Sequence, residues 1–194
     1  MISSKEEYQE YIKQDQLALG RQHDRKPRLF GDEIWKLERL LRRVEYYKNC
    51  KQGPVGNMLR KYYGYRFHRL SVRLGMTLPA NVFGPGLAIV HYGTIVVHGG
   101  AKIGRNCRLQ EGVTIGASGG SHEAAVIGDN CYLGSGAKVI GAVRIADDVA
   151  VGANAVVTRD ITEAGTTWAG APARKISDKD SHSNLCQSLF GKQG

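Results

Sequence analysis

From residue 103 onward an aliphatic side chain returns at every sixth position. The series runs Ile103, Leu109, Ile115, Ile127, Leu133, Val139, Ile145, Val151 and Val157, and Ser121 is the single departure. The next residue is mostly small, as at Gly104, Gly116, Gly128, Gly134 and Gly152. The fourth residue after each aliphatic is again small or apolar, as at Cys107, Val113, Ala125, Cys131, Ala137, Val143, Val149 and Ala155. Upstream the register continues at Phe83, Ile89 and Ile95, then slips by two residues before Ile103. A helix of 3.6 residues per turn would carry a six-residue phase around its surface. A flat strand alternates with period two and has no need of small residues at one fixed phase. Period six suits short strands joined by tight bends, three of which close a coil of 18 residues. Stacked coils then pair backbone to backbone at about 4.8 Å, and like phases pile into ladders. The segment 117–124, which holds Ser121, reads as a loop extruded from the stack. The pattern predicts a mainly β chain, a parallel β-helix of hexapeptide repeats, preceded by an N-terminal α-helical region.

Before residue 76 the pattern is helical. Ser3 and Glu6 have the spacing of a capping box, and Tyr8, Tyr11, Ile12 and Leu19 form a loose stripe. Asp32 is placed to cap a second helix whose Ile34, Leu37, Leu41 and Val44 recur at helical spacing. Gly53-Pro54-Val55-Gly56-Asn57 reads as a break. A third helix follows, with Leu59, Tyr63, Phe67, Leu70 and Leu74 on one face and Gly75 as its stop. Its other face carries Arg60, Lys61, Arg66, Arg69 and Arg73. That face is either simply solvated or attracts an anionic acceptor, a nucleotide or a membrane surface.

Charge and glycine divide the chain at the same place. Residues 1–75 hold 17 of the 27 Lys and Arg but only 9 of the 18 Asp and Glu, a net +8 of the total +9. Seventeen of the 25 glycines fall between 76 and 175. The expected organisation is a basic α-helical region over 1–75, a β-helix over 76–176 and a C-terminal tail over 177–194. Glycine at strict thirds is absent, which excludes collagen. No apolar run approaches a membrane span of roughly 18 residues. The acidic start at Glu6 and Glu7 does not suit a signal peptide. Cys50, Cys107, Cys131 and Cys186 are too irregularly spaced for a disulfide framework or a zinc cluster. These features lead us to expect a cytoplasmic protein with no nucleic-acid partner. Cys107 and Cys131, on the small inward phase, are expected in the core.

Four segments carry a family resemblance: His91-Tyr92-Gly93-Thr94-Ile95-Val96-Val97, Gly134-Ser135-Gly136-Ala137-Lys138, Gly152-Ala153-Asn154-Ala155-Val156-Val157 and Ala169-Gly170-Ala171-Pro172-Ala173-Arg174. With the repeat, they make residues 76–176 resemble the hexapeptide-repeat acyltransferases. Within that group the chain is most similar to serine acetyltransferases and their relatives in capsular polysaccharide O-acetylation. The resemblance implies a left-handed coil, acetyl-CoA as cosubstrate, and a homotrimer or a hexamer of paired trimers.

The resemblance puts the catalytic base on His91, and imidazole suits proton removal from a hydroxyl near neutral pH. The aspartate that orients this histidine in similar serine acetyltransferases falls here on Met76. One coil plus the two-residue slip instead places Glu111 beside His91, to orient it, to bind the acceptor, or as a plain surface glutamate. The family lays the pantetheine arm of coenzyme A between subunits along small residues. Here these are Gly116, Ala117, Gly134, Ser135, Gly152 and Ala153, positions the fold itself also requires to be small. Arg174 and Lys175 are placed to meet nucleotide phosphates, and Tyr92 and His122 to contact the acceptor. His91, His98 and His122 are not spaced by whole coils, so no metal is expected. Relatives that acetylate serine carry an aspartate where this chain has Val90. Their loop arginine and histidine fall on Glu123 and Ala124, although a one-residue shift would bring in His122. A saccharide acceptor is therefore expected, with serine as the alternative and a non-catalytic β-helix scaffold as the reading of another class.

Overall fold

The computed structural model describes residues 1–191. Three helices come first: α1 (Lys5–Ala18), α2 (Glu33–Cys50) and α3 (Pro54–Leu74). Fourteen short strands follow among the described residues. In chain order they are β1 (Met76–Thr77), β2 (Ala88–Ile89), β3 (Ile95–Val97), β4 (Lys102–Ile103), β5 (Arg108–Leu109), β6 (Thr114–Gly116) and β7 (Val126–Ile127), then β8 (Tyr132–Leu133), β9 (Lys138–Ile140), β10 (Arg144–Ile145), β11 (Ala150–Val151), β12 (Val156–Val157), β13 (Thr167–Ala169) and β14 (Arg174–Ser177). They form three sheets, one per side of the coil: β1-β3-β6-β9-β12, β4-β7-β10 and β2-β5-β8-β11-β13, all parallel, with β14 added antiparallel beside β13. This is the hexapeptide β-helix, and the aliphatic ladder fills it. Leu109, Ile115, Leu133, Val139 and Val151 are fully buried, each worth about 1.5–3 kcal/mol of burial.

The register reports both irregularities read from the sequence. Leu133 pairs with Val151, one 18-residue coil away. Ile89 pairs with Leu109, 20 residues on, as the slip requires. Ile103 pairs with Ile127, 24 residues on, because the exposed loop around Gly119, Gly120 and Ser121 adds six residues without disturbing the stack.

The corners obey a second rule, one of backbone angle. Three residues after an inward aliphatic, Asn106, Asn130, Asp148 and Asn154 hold left-handed backbone at φ of 53–60°, a conformation Asn and Asp tolerate better than other non-glycine residues. The first three bond along the stack through their side chains: Asn106 Nδ2 donates to Asn130 Oδ1 at 2.7 Å, and Asn130 Nδ2 to Asp148 Oδ1 at 2.9 Å. The tail closes this row, with His182 Nε2 2.8 Å from Asp148 Oδ1. The tail then returns to the helices, where Ser188 donates to the carbonyl of Leu17.

Two helix starts differ from expectation. The cap of α1 is Ser4, whose Oγ accepts from the Glu7 amide, while the Glu7 carboxylate reaches back to Ser3. The box is thus one residue later than Ser3 and Glu6. Asp32 precedes α2 but makes no capping bond, because its carboxylate is taken by Arg28 and Arg21. The Gly53–Asn57 break is narrower than expected, since Pro54 already opens α3. Gly75 ends α3 in left-handed geometry, as expected.

The helical region docks on the first coil through the apolar side chains of Ile34, Leu37 and Leu41 and through buried charge. Arg42 is fully buried and grips Asp15 with two nitrogens at 2.8 and 3.1 Å, Glu45 at 3.0 Å, and the carbonyls of Phe83 and Gly84. Asp15 also accepts from the amides of Gly86 and Leu87. Glu38 Oε1 accepts from the Ile89 amide at 2.8 Å, and burial, reinforced by Asp15, raises its carboxyl well above the ordinary range. These bonds fix the backbone that leads into His91. No helix is long and apolar enough to cross a membrane among the described residues.

Candidate active site

His91 stands exposed at the corner between β2 and β3, two residues beyond the inward Ile89. The pairing of Ile89 with Leu109 brings Glu111 level with it on the next coil, and the following registers bring Ser135 and then Ala153 to the same corner. Backbone bonds tie these corners together: Gly112 N to Thr94 O, Gly136 N to Glu111 O, and Asn154 N to Ser135 O, each 2.8 Å. Gly93 makes the first approach close. Its φ is +148°, and a Cβ there would fall 2.7 Å from the Cβ of Glu111. The Ser135 hydroxyl holds the Glu111 carboxyl below its ordinary range, and His91 adds to the effect. Glu111 Oε2 is buried without a hydrogen-bond partner. The column thus sets an imidazole beside a carboxylate favoured in its ionised form, an arrangement that would stabilise an imidazolium.

Tyr92, next to His91, is exposed, and its hydroxyl donates to Glu33 Oε2 at 3.2 Å. On the other side of His91, Val90 lines a cleft of about 550 Å³ between the α1–α2 connection and the third sheet. Asp32, Trp35, Arg108 and Tyr92 share that cleft. Trp35 Nε1 and Arg108 Nε are buried donors without partners. Neither residue was singled out from sequence. Arg108 carries a readable signal, since it precedes the inward Leu109 and must face out.

The small residues separate into two groups. Gly134, Ser135, Gly152 and Ala153 share the His91 corner, where a Cβ on Gly134 would come 2.8 Å from Ala153 N. Gly116 instead pairs with Ile140 at the far end of β6, and Ala117 follows it into the extruded loop. His122 lies in that loop, whose backbone covers the corner at Gly100, beside His98. Within one chain, Gly116, Ala117 and His122 therefore stand across the first sheet from His91. At the C-terminal end Lys175 is engaged by Glu163 and Asp178, which raise its pKa. Arg174 is exposed and has no carboxylate partner among the described residues. Cys107 and Cys131 are buried, and burial pushes the Cys131 thiol up to about 12. No group of three or more His, Cys, Asp or Glu is arranged to hold a metal among the described residues.

The family model of bacterial transferase hexapeptide (six repeats) matches residues 124–159. A serine acetyltransferase of Helicobacter pylori (strain J99) is 38% identical over 101 residues, 51% of this chain and 58% of that one. The chain spans about half the length of the curated relatives it matches. Among solved structures, serine acetyltransferase of Brucella abortus in complex with coenzyme A superposes with a TM-score of 0.67 at 21% identity, covering 90% of this chain and 70% of that one. Neisseria gonorrhoeae serine acetyltransferase in complex with serine gives 0.65 at 23%, covering 90% and 71%. The chain thus carries the hexapeptide repeat over residues 124–159 and shares its left-handed β-helix fold with solved serine acetyltransferases.

Proposed function

We propose that the protein transfers the acetyl group of acetyl-CoA to a hydroxyl of a small acceptor, with His91 as general base. The observation that carries this reading is the corner column, His91 against an ionised Glu111, on a chain similar to serine acetyltransferases. The neutral imidazole takes the acceptor's hydroxyl proton as the oxygen attacks the thioester carbonyl. The tetrahedral intermediate collapses, the carbon–sulfur bond breaks, and the proton passes from imidazolium to the leaving thiolate. Glu111 favours the transient imidazolium. The two separated groups of small residues support a site shared between copies. A neighbour in a trimer would set its Gly116–His122 edge against the His91 column, with Arg174 toward the nucleotide.

The comparisons favour serine over the saccharide expected from sequence, because the relatives named above are serine acetyltransferases and one holds serine. The cleft beside His91 gives this a physical basis. It carries unpartnered donors at Trp35 Nε1 and Arg108 Nε, which suit the carboxylate of an amino acid. The saccharide reading keeps two observations: Val90 supplies no counter-charge beside the base, and Asp32 is already engaged by two arginines. Thiol release from acetyl-CoA, measured with serine and with a panel of neutral sugars, decides between them. Serine turnover with kcat/KM of about 10⁴ M⁻¹s⁻¹ or above supports the first reading. Turnover of a sugar alone supports the second, and turnover of neither overturns the proposal.

A further inference from the structure

Helix α3 has two faces, and only one is accounted for. Phe67, Leu70 and Leu74 pack against the core. The opposite stripe, Val55, Met58, Tyr62, Tyr65, Arg69 and Val72, follows three- and four-residue steps down the whole helix. Its five apolar members are 50–67% exposed. A soluble helix normally turns charge outward and keeps its aromatics in. Here the outward stripe is apolar and its margins are cationic. The 21 residues of α3 include five Lys and Arg and no Asp or Glu.

The stripe continues into a groove of about 1370 Å³ between α3, α2 and the 26–30 segment. Arg39, Arg43, Arg66, Arg69 and Arg73 line it, and Glu33 is its single acid, already facing Lys36. None of these five arginines has a carboxylate partner among the described residues. Arg43, Arg66 and Arg69 lie over tyrosine rings instead. On the far lip, Leu29 and Phe30 project at 82% and 87% exposure.

We infer that this face seats the protein on an anionic membrane surface, with phosphate headgroups in the arginine groove and the Leu29–Phe30 tip and the α3 stripe entering the headgroup boundary. Apolar ridges beside a polybasic trough are what peripheral attachment requires, because each arginine gains from the negative leaflet while the ridges leave water. A second copy is the other natural cover for an apolar stripe. It would bring the same excess of positive charge, eight over residues 1–75, against itself. Charge therefore selects the lipid. The attachment does not depend on which hydroxyl the enzyme acetylates.

Co-sedimentation of the full chain with vesicles tests this. One set is phosphatidylcholine, and the other carries about 30% phosphatidylglycerol. The expected result is binding to the anionic vesicles only, weakening as salt rises from about 0.1 to 1 M and the screening length falls from about 10 to 3 Å. The triple variant Arg66→Gln, Arg69→Gln, Arg73→Gln should bind roughly 100-fold more weakly, about five-fold per charge removed, with thiol release on a soluble acceptor unchanged. Leu29→Ser with Phe30→Ser should also weaken binding while leaving its salt dependence in place. The wild-type measurement stands alone if a variant fails to fold. Absence of binding to anionic vesicles overturns the inference. So does equal binding to neutral vesicles, retention by RNA in place of lipid, or a triple variant whose main change is a smaller particle in light scattering.

Discussion

The β-helix and the helical region share an apolar core but are held by different additional means. The coil is a repeated apolar ladder: Leu109, Leu133 and Val151 stack in one column, and each contributes little that its neighbours do not repeat. The helical region joins the same apolar core through Ile34, Leu37 and Leu41 and adds one ionic centre. Arg42, Asp15 and Glu45 are all buried and satisfy one another and the backbone of the first coil. Damage to a ladder is local, because each coil touches only the next. Damage to the centre releases a whole region, because a buried charge without its partner is costly. Function follows the same division. On the proposed reading the chemistry sits at the His91 corner of the coil, while the helices aim the backbone before His91 and present a cationic face.

Arg42→Ala should be the largest blow to folding, at about 3–5 kcal/mol, since it leaves two buried carboxylates unpaired. Chemical denaturation should show it, with loss of the helical signal ahead of the coil. Simultaneous loss of both would erase the distinction. Leu133→Ala should cost about 2–5 kcal/mol, set by how far the coil relaxes around the cavity. Asn130→Ala removes two side-chain bonds along the corner row and puts alanine at φ 54°, for about 1–3 kcal/mol. Asn130→Gly should recover part of that loss, because glycine accepts the backbone angle. Glu38→Gln should be the mildest. The folded chain holds the Glu38 proton above its ordinary value of 4.5, so the stability Glu38 adds is full below that pH and declines as pH rises. Gln keeps the acceptor for Ile89 N without the titration. Melting temperatures between pH 5 and 8 should therefore fall less steeply in the variant, and an unchanged slope would count against a raised carboxyl.

The two regions were also unequally legible. Period six exposed the coil, its slip and its extruded loop, because every inward position obeys the same steric demand. The corner rule was present in the same sequence, as Asn or Asp three places after the aliphatics, but it concerns backbone angle and not hydropathy. The ionic centre was not legible, since Arg42, Asp15 and Glu45 have the composition of a solvated helix face and only the fold buries them. The capping role given to Asp32 failed for a related reason, as Arg21 and the side chain and amide of Arg28 take its carboxylate away from the amides of α2. At the site, His91 and Glu111 followed from resemblance and stacking arithmetic, and the register bears out the stacking arithmetic that puts them at one corner. Trp35 and Arg108 did not emerge, because the cleft joins elements more than 70 residues apart. The six small residues had appeared equivalent in phase, and the extruded loop is what moved Gly116 and Ala117 to another edge.

We propose that the His91 corner performs acetyl transfer. Turnover of acetyl-CoA with the preferred acceptor, measured beside coenzyme A affinity in wild type and His91→Ala, tests it most directly. Loss of proton transfer alone should lower turnover by about 10²–10⁴-fold and leave coenzyme A affinity nearly unchanged. Glu111→Gln should cost less than His91→Ala, and in turnover more than in affinity. Equal turnover in wild type and His91→Ala would contradict the assignment.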